Sequence, residues 1–383
     1  MRVLLLTASY GDGHHQVASA LADAFSLFGA DVREFDCIRS GGRADGQSRV
    51  FGEWVYESLT RFAPWLYGIS YNWTRNLSER HPLWWLLSLP LRGRLTHLLR
   101  DFRPDVVLQL FPERLLSDMK SADLPPFIGV VVTDYSVHTR WYHRRVTTYF
   151  LPALDFLDLS RRFVLPHSRC VATGIPLRRQ FWTSERANDD VQRHQVETVD
   201  TSRPYVLVAA GGRGLFPDLQ QTLLQLCARL PDHDVYVMCG KNQRMLETIQ
   251  RVSEDMPRVV GLPFVSEVAL LYKYASFAVV KAGGLTVSEC LAMSCPMLLY
   301  RPQPGQEYDN AKYVESIGAG RLVHASRELA DVLSAFADPA VRTEMRAACR
   351  ESAHPNAAND VVHVVMNTVN NASSQVTEFT KFR

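Results

Sequence analysis

The feature that most constrains this chain is a series of short, mostly apolar runs spread along its 383 residues. Val3–Leu6, Val106–Leu110, Ile128–Val132, Tyr205–Ala209, Val235–Met238, Phe277–Val280 and Met297–Tyr300 are each four or five residues long and rich in Val, Ile and Leu. Runs without polar alternation predict strands buried on both faces, as in a parallel sheet covered by helices. Longer amphipathic stretches lie between them, such as Gln16–Phe28 and Leu219–Arg229. Repeated strand–helix units of this kind predict an α/β, doubly wound architecture.

The length exceeds what one hydrophobic core usually serves, so two domains are expected. The pattern breaks between Trp182 and Pro204, where the chain is polar and charged. The reading is therefore a first domain over residues 1–181, a linking region over 182–204 and a second domain over 205–354. Pro339, His354 and Pro355 mark the end of the second series. A final helical segment near Asn356–Asn370 then precedes a polar tail.

Composition excludes some alternatives. A hydrophobic fraction of 46% and a charged fraction of 21% are those of a globular protein, not a disordered one. Residues 1–180 hold 22 Lys and Arg against 17 Asp and Glu, while the remainder holds 20 against 23. A mildly basic first half suits an anionic partner such as a membrane surface or a phosphate-bearing substrate, and equally suits a chance imbalance on solvated faces. Seven cysteines, with no Cys-x-x-Cys pair, read as packed thiols in a reducing compartment and not as zinc ligands or a disulfide framework. The run after Arg2 is too short for a signal peptide, and no apolar stretch reaches membrane-spanning length.

One segment departs from a plain doubly wound unit. Between Phe51 and Leu99 lie Trp54, Tyr56, Phe62, Trp65, Tyr67, Tyr71, Trp73, Trp84 and Trp85, interleaved with arginines. Aromatics beside cationic residues favour a lipid–water interface. Two core helices packed on the sheet are the alternative.

Three places carry chemistry. Tyr10-Gly11-Asp12-Gly13-His14 lies between the first strand and first helix, where glycines let the backbone approach a ligand. Gln16 stands where a dinucleotide fingerprint would need its third glycine, which disfavours that class. The segment offers instead an imidazole, His14, that can accept a proton from a hydroxyl near neutral pH. His15 points about 100° away on the helix. Ala210-Gly211-Gly212-Arg213-Gly214 is a second, less specific glycine turn. The third place is Lys281-Ala-Gly-Gly-Leu-Thr-Val-Ser-Glu289. Gly283, Gly284 and Thr286 would bring amides and a hydroxyl to a diphosphate at a helix start. Glu289 would accept ribose hydroxyls there, or else close a Thr286-x-x-Glu289 capping box. Pro304–Asn310 then gathers amide and carboxylate groups, suited to sugar hydroxyls, in a loop.

With these motifs in order, the chain resembles the processive diacylglycerol glucosyltransferases and monogalactosyldiacylglycerol synthases of glycosyltransferase family 28. The likeness is carried by TASYGDGHHQVA, TDYSVHTRWYH, TGIPLRRQF, VMCGKN, KAGGLTVSE and PGQEYDNA. It implies a GT-B fold, two Rossmann-like domains facing across a cleft, with a C-terminal helix, 355–383, returning to the first. By similarity Glu289 is the ribose carboxylate, and Gly283, Gly284, Leu285 and Thr286 form the diphosphate loop, supported by Gly211 and Gly212. Gln306 and Glu307 contact the donor sugar, Phe264 and Val265 hold the uracil, and Arg178 faces the diphosphate. His14 is the cleft base, with Asp12 or Asp134 to steer it. Trp54, Trp65, Tyr67, Trp84, Trp85 and His138 serve the acceptor or the membrane. The family often has Lys-Pro-Gly-Gly where this chain has Lys281-Ala282. Leu262-Pro263 is an insertion before Phe264 relative to the family pattern.

The activity implied is inverting transfer of a hexose, glucose favoured over galactose, from a UDP-sugar to diacylglycerol or a glycosyl-diacylglycerol. No metal or other cofactor and no nucleic acid is expected. The implied partners are the UDP-hexose, diacylglycerol and anionic membrane lipids, and the implied place is the cytoplasmic face of the membrane. Alternatives are a GT-B transferase with a soluble acceptor, a UDP-sugar epimerase, or a non-catalytic UDP-sugar sensor.

Overall fold

A computed structural model describes residues 1–8, 12–37, 64–75, 77–78, 81, 93–112, 114–183, 199–209, 216 and 218–380, with side chains omitted at 12, 64, 67, 183 and 372–380. The chain divides into two compact units, Met1–Arg178 with Asn356–Arg383, and Arg179–Pro355.

In the first unit β1 (Arg2–Thr7), β2 (Asp31–Asp36), β3 (Val106–Gln109), β4 (Phe127–Val131), β5 (Thr148–Leu151) and β6 (Arg169–Ala172) form a sheet in the order β2-β1-β3-β4-β5-β6. All its pairings are parallel. Its interior strands are buried on both faces, as their uniform Val, Leu and Ile content requires. Helix α1 (Asp12–Leu27) follows β1 and buries Val17, Leu21, Ala24 and Phe25, a helical spacing of apolar residues. It begins four residues before the Gln16 expected from sequence, so His14 and His15 lie in its first turn. Helix α2 (Pro64–Thr74) lies in the aromatic segment, and α3 spans 93–102. Helix α4 covers Asp155–Arg161.

In the second unit β7 (Tyr205–Ala209), β8 (Asp234–Gly240), β9 (Val259–Pro263), β10 (Phe277–Val280), β11 (Met297–Tyr300) and β12 (Gly320–Val323) take the order β12-β11-β10-β7-β8-β9, again all parallel. The helices are α5 (Gln180–Thr183), α6 (Leu219–Arg229), α7 (Gln243–Asp255), α8 (Val268–Tyr274), α9 (Gly284–Ala292), α10 (Gln306–Ser316), α11 (Leu329–Ala337) and α12 (Pro339–Glu351). Leu223 and Leu226 of α6 and Phe336 of α11 share one core with Val206, Val235 and Phe277 of the sheet. The Phe277 and Phe336 rings lie 4.5 Å apart. β12 approaches β11 so closely at Gly320 that a Cβ would stand 2.2 Å from the Met297 carbonyl oxygen, so only glycine fits.

Pro339 opens a helix instead of closing the series: it is the first residue of α12, with Asp338 as N-cap accepting from Ala340 N at 2.8 Å. The final helix, α13 (Ala357–Thr380), continues past Asn370, where the sequence reading ended it. It lies in the first unit, with Val361, Val362 and Val365 buried and His363 edge-on to Phe28 at the end of α1. The expected linking region, 182–204, falls mostly outside the described residues.

Candidate functional site

In an open parallel sheet, ligands gather at the carboxyl ends of strands, where the strand order reverses direction. That point lies between β1 and β3 in the first unit, and between β7 and β10 in the second. Helix α1 starts at the first, and α9 at the second.

His14 spans the first crevice. Its Nδ1 lies 2.7 Å from the carbonyl oxygen of Leu110, just past β3. A carbonyl only accepts, so Nδ1 carries the hydrogen and Nε2 keeps its lone pair. Burial holds the His14 pKa down to about 4, outweighing the bond to Leu110, and the nearby His15 lowers it further. His14 is thus neutral at physiological pH, with one acceptor nitrogen. Asp134 is half-buried beyond the end of β4, on the same sheet edge. Asp12 occupies the helix start, but its side chain is outside the described residues. Arg178, half-buried, closes the first unit.

His138 requires a correction. Instead of facing an acceptor or lipid, it is 3% exposed and caps a short 3-10 turn, Thr139–Trp141. Its Nδ1 accepts from Arg140 N at 3.2 Å, and Nε2 lies 3.3 Å from the Tyr71 carbonyl. The Tyr71 ring lies tilted against the imidazole, with 4.7 Å between ring centres. Burial holds its pKa down to about 3, so it is neutral, and its work is to fasten α2 to the segment after β4. Thr139 Oγ1 donates to the Thr74 carbonyl at 3.2 Å, and Arg75 Nε to the Val137 carbonyl at 3.2 Å, in the same seam. The free side of α2 presents Trp65, Leu66, Ile69 and Trp73 to solvent. Trp54, Trp84 and Trp85 lie outside the described residues, as does the Tyr67 side chain.

At the second crevice, α9 begins at Gly284 with Gly283 as N-cap and no side-chain cap. This overturns the Thr286–Glu289 capping box, because Thr286 is the third helical residue and Glu289 the sixth. The amides of Gly284, Leu285 and Thr286 sit in the first turn, where a helix has no partners of its own to offer. A Cβ on Gly283 would meet nothing nearer than Thr286 Oγ1 at 3.9 Å, so the turn is open above the backbone. Glu289 is 7% exposed one turn further in. Gly211 and Gly212, following β7, lie outside the described residues.

The structure brings the two strongest motifs together. Gln306 and Glu307 open α10 rather than lying in a loop. Lys281 Nζ lies 3.5 Å from Glu307 Oε1, while Gln303 N donates to Glu307 Oε2 at 3.1 Å. The fully buried Asn310 donates to the Ala282 carbonyl at 2.9 Å. Helix α10 is therefore stitched to the turn that starts α9. Gly305 makes this possible with φ 105° and ψ −139°, a conformation essentially restricted to glycine. Phe264, 62% exposed, follows β9 on the same sheet edge, with Lys241 Nζ 5.5 Å from its ring centre and Val265 half-buried beside it.

Sequence reasoning overlooked several residues. Gln180 accepts from Ala269 N at 3.1 Å and donates to the Ser266 carbonyl at 3.0 Å, fixing the turn after Phe264. It stands in TGIPLRRQF, so the motif was visible but not its geometry. Lys281 and Asn310 likewise lay in quoted motifs. His15, Glu34 and Asp36 form a cluster that no motif signalled.

Comparison with known proteins follows this division. The family model for monogalactosyldiacylglycerol (MGDG) synthase matches residues 14–177, and that for the glycosyltransferase family 28 C-terminal domain matches 205–363. The chain is 29% identical over 377 residues to a processive diacylglycerol beta-glucosyltransferase of Bacillus cereus, covering 95% of this chain and 93% of that one. It is 28% identical over 374 residues to the protein of the same name from Bacillus cytotoxicus, with the same coverage. Among solved structures, MurG of Acinetobacter baumannii superposes with a TM-score of 0.61 at 17% identity, covering 96% of this chain and all (100%) of that one. The UDP complex of Staphylococcus aureus MnaA gives 0.62 at 12% identity, covering 96% and 97%. These likenesses establish the GT-B fold. Two family models in order, nearly full-length relatives and two switch-point sites lead to one conclusion: the chain belongs to glycosyltransferase family 28, with the MGDG synthases and processive diacylglycerol glucosyltransferases.

Proposed function

We propose that the chain is an inverting hexosyltransferase that moves glucose, in preference to galactose, from a UDP-sugar to diacylglycerol or a glycosyl-diacylglycerol at a membrane surface. Support for the substrates comes from the relatives whose names specify diacylglycerol and glucosyl transfer along 95% of this chain. The observation that carries the mechanism is His14, held by Leu110 at 2.7 Å with Nε2 left as a proton acceptor.

In this reading Nε2 takes the acceptor hydroxyl proton while that oxygen bonds to the anomeric carbon and the bond to the diphosphate breaks. A base with a pKa near 4 accepts the proton late, once the attacking oxygen has grown acidic. The departing charge is met by the α9 amides, the helix dipole and Arg178, without a metal. Glu289 holds the ribose, Phe264 and Val265 the uracil, and Gln306 and Glu307 the sugar.

The exposed Trp65, Leu66, Ile69 and Trp73 of α2 favour a lipid surface, since water-facing aromatic clusters of this kind are uncommon otherwise. Among the described residues no helix is long and apolar enough to cross a membrane. The inner membrane face is the proposed site of action. Trp65→Ser with Trp73→Ser should abolish co-sedimentation with anionic vesicles while leaving the melting temperature unchanged.

The decisive assay supplies radiolabelled UDP-glucose or UDP-galactose with diacylglycerol vesicles in the presence of EDTA and resolves lipid products by thin-layer chromatography. Glucolipid from the first donor, absent with His14→Ala although UDP still binds, is expected. Loss of UDP affinity in that variant would assign His14 to phosphate instead. The similar TM-score to a putative UDP-N-acetylglucosamine 2-epimerase of Listeria monocytogenes, 0.62, motivates a second reading as an epimerase. NMR of donor with enzyme and no acceptor separates them, and no interconversion is expected.

A further inference from the structure

The first turn of α1 is weak in intrinsic helix propensity. Gly13 lies inside it and Gly11 precedes it, and glycine is a poor helix former. Two consecutive histidines tie it to the sheet from opposite sides. His14 reaches toward β3, where the Leu110 carbonyl receives it. His15, about 100° further round the helix, reaches toward β2. Its Nδ1 meets Glu34 Oε1 at 2.5 Å, and its Nε2 lies 3.3 Å from Asp36 Oδ2. Since β1 lies between β2 and β3, the two rings straddle it. The Thr7 hydroxyl, at the end of β1, donates to Glu34 Oε1 at 2.9 Å and steadies that carboxylate.

We infer that His15 is a positioning residue for the proposed transfer: by bridging Glu34 and Asp36 it anchors the first turn of α1 to the sheet edge and so aims the His14 ring. The inference rests on the role proposed for His14.

With a carboxylate at each nitrogen the His15 ring is an imidazolium, and the bond to Asp36 is the main reason its pKa rises to about 9. A cation in the first turn opposes the helix dipole, so the charge is there because of the carboxylates and not for the helix. The charged groups that reach His14 are His15 on its own helix, which lowers its pKa, and Asp36 on β2, which raises it. Glu34, also on β2, reaches His15. Neighbouring groups whose pKa values are driven apart are the usual mark of divided acid–base roles.

The test compares wild type, His15→Ala and His15→Lys in the vesicle assay, with kcat and KM measured across pH. His15→Ala should lower kcat about tenfold, in line with the cost of a misaimed catalytic group, and leave KM for the UDP-sugar unchanged. His15→Lys, which returns a cation to the two carboxylates, should recover most of the loss. In His15→Ala the acid limb of kcat should move to higher pH, because a like charge is gone and Asp36 is left facing His14. Wild-type kcat and an unmoved limb in folded His15→Ala would overturn the inference. Should that variant fail to fold, 15N NMR of the wild-type ring decides. Both nitrogens protonated at pH 8 support the clamp, and titration near pH 6.5 overturns it. If His14→Ala keeps activity, the base assignment falls, while the NMR result still judges the anchor.

Discussion

Glu289 is 7% exposed, one turn into α9, and ribose hydroxyls are the proposed ligands of its carboxylate. Glu289→Ala should therefore weaken UDP binding by roughly ten- to a hundredfold, the worth of hydrogen bonds to a charged group. Isothermal titration with UDP measures this, and unchanged affinity would remove the ribose role. His15 makes a separate prediction for stability. Its pKa is raised from 6.5 to about 9, so the stability it contributes is full below about pH 6.5 and is lost as pH rises through about 9. Chemical denaturation of wild type and His15→Ala should show a gap that closes across that window. The gap should also shrink in high salt, because the ring is partly exposed. His14 and Glu289 could be singled out in the sequence because each follows glycines at a strand-to-helix turn, and the base and ribose roles are proposed for them. His15 was not, because its partners are 19 and 21 positions away on β2 and belong to no motif. His138 was assigned to the acceptor or the membrane by resemblance alone, which carries no sign of its burial; the packing of α2 supplies one.

Among the elements, interior and edge strands differed sharply in legibility. β7, β10 and β11 coincide with their apolar runs, since a strand covered on both faces has no room for polar residues. β2, β6 and β12 lie at sheet edges and carry arginines or acids, and β9, also an edge, carries exposed Val260 and Pro263. Such edges escape any search for continuous hydrophobicity. Helix starts were misplaced for a related reason. Glycine normally argues against helix, yet Gly13 and Gly284 lie inside first turns because tertiary contacts or open amides dictate the register. Gly305 is the opposite case, a glycine the backbone requires. Gly305→Ala should cost about 1–3 kcal/mol of stability, the usual range for forced strain. It should also raise KM for the UDP-sugar more than it lowers kcat, since the start of α10 would shift against Lys281 and Ala282. Steady-state kinetics beside thermal melts check this, and a kcat that falls by as large a factor as KM rises would argue against that shift.

For the molecule as a whole, two units, each built on a parallel sheet, with both ends of the chain belonging to the first, follow a plan the sequence announced only in part. The repeated strand–helix rhythm disclosed the doubly wound character, whereas strand order depends on which helix crosses which face, and no single segment encodes that. The return of α13 to the first unit has a consequence for how the protein is made. The unit that emerges first during synthesis lacks the valines at 361, 362 and 365 until the chain beyond residue 357 has been translated. Each such buried side chain is worth about 1.5–3 kcal/mol. A nascent chain halted at residue 355 should hold its second unit folded and its first unit protease-sensitive, and limited proteolysis of that truncation would show it. Supplying residues 356–383 as a separate peptide should restore protection. The half that starts the chain is thus the half that matures last, so the enzyme carries its own timer against engaging substrate before it is complete.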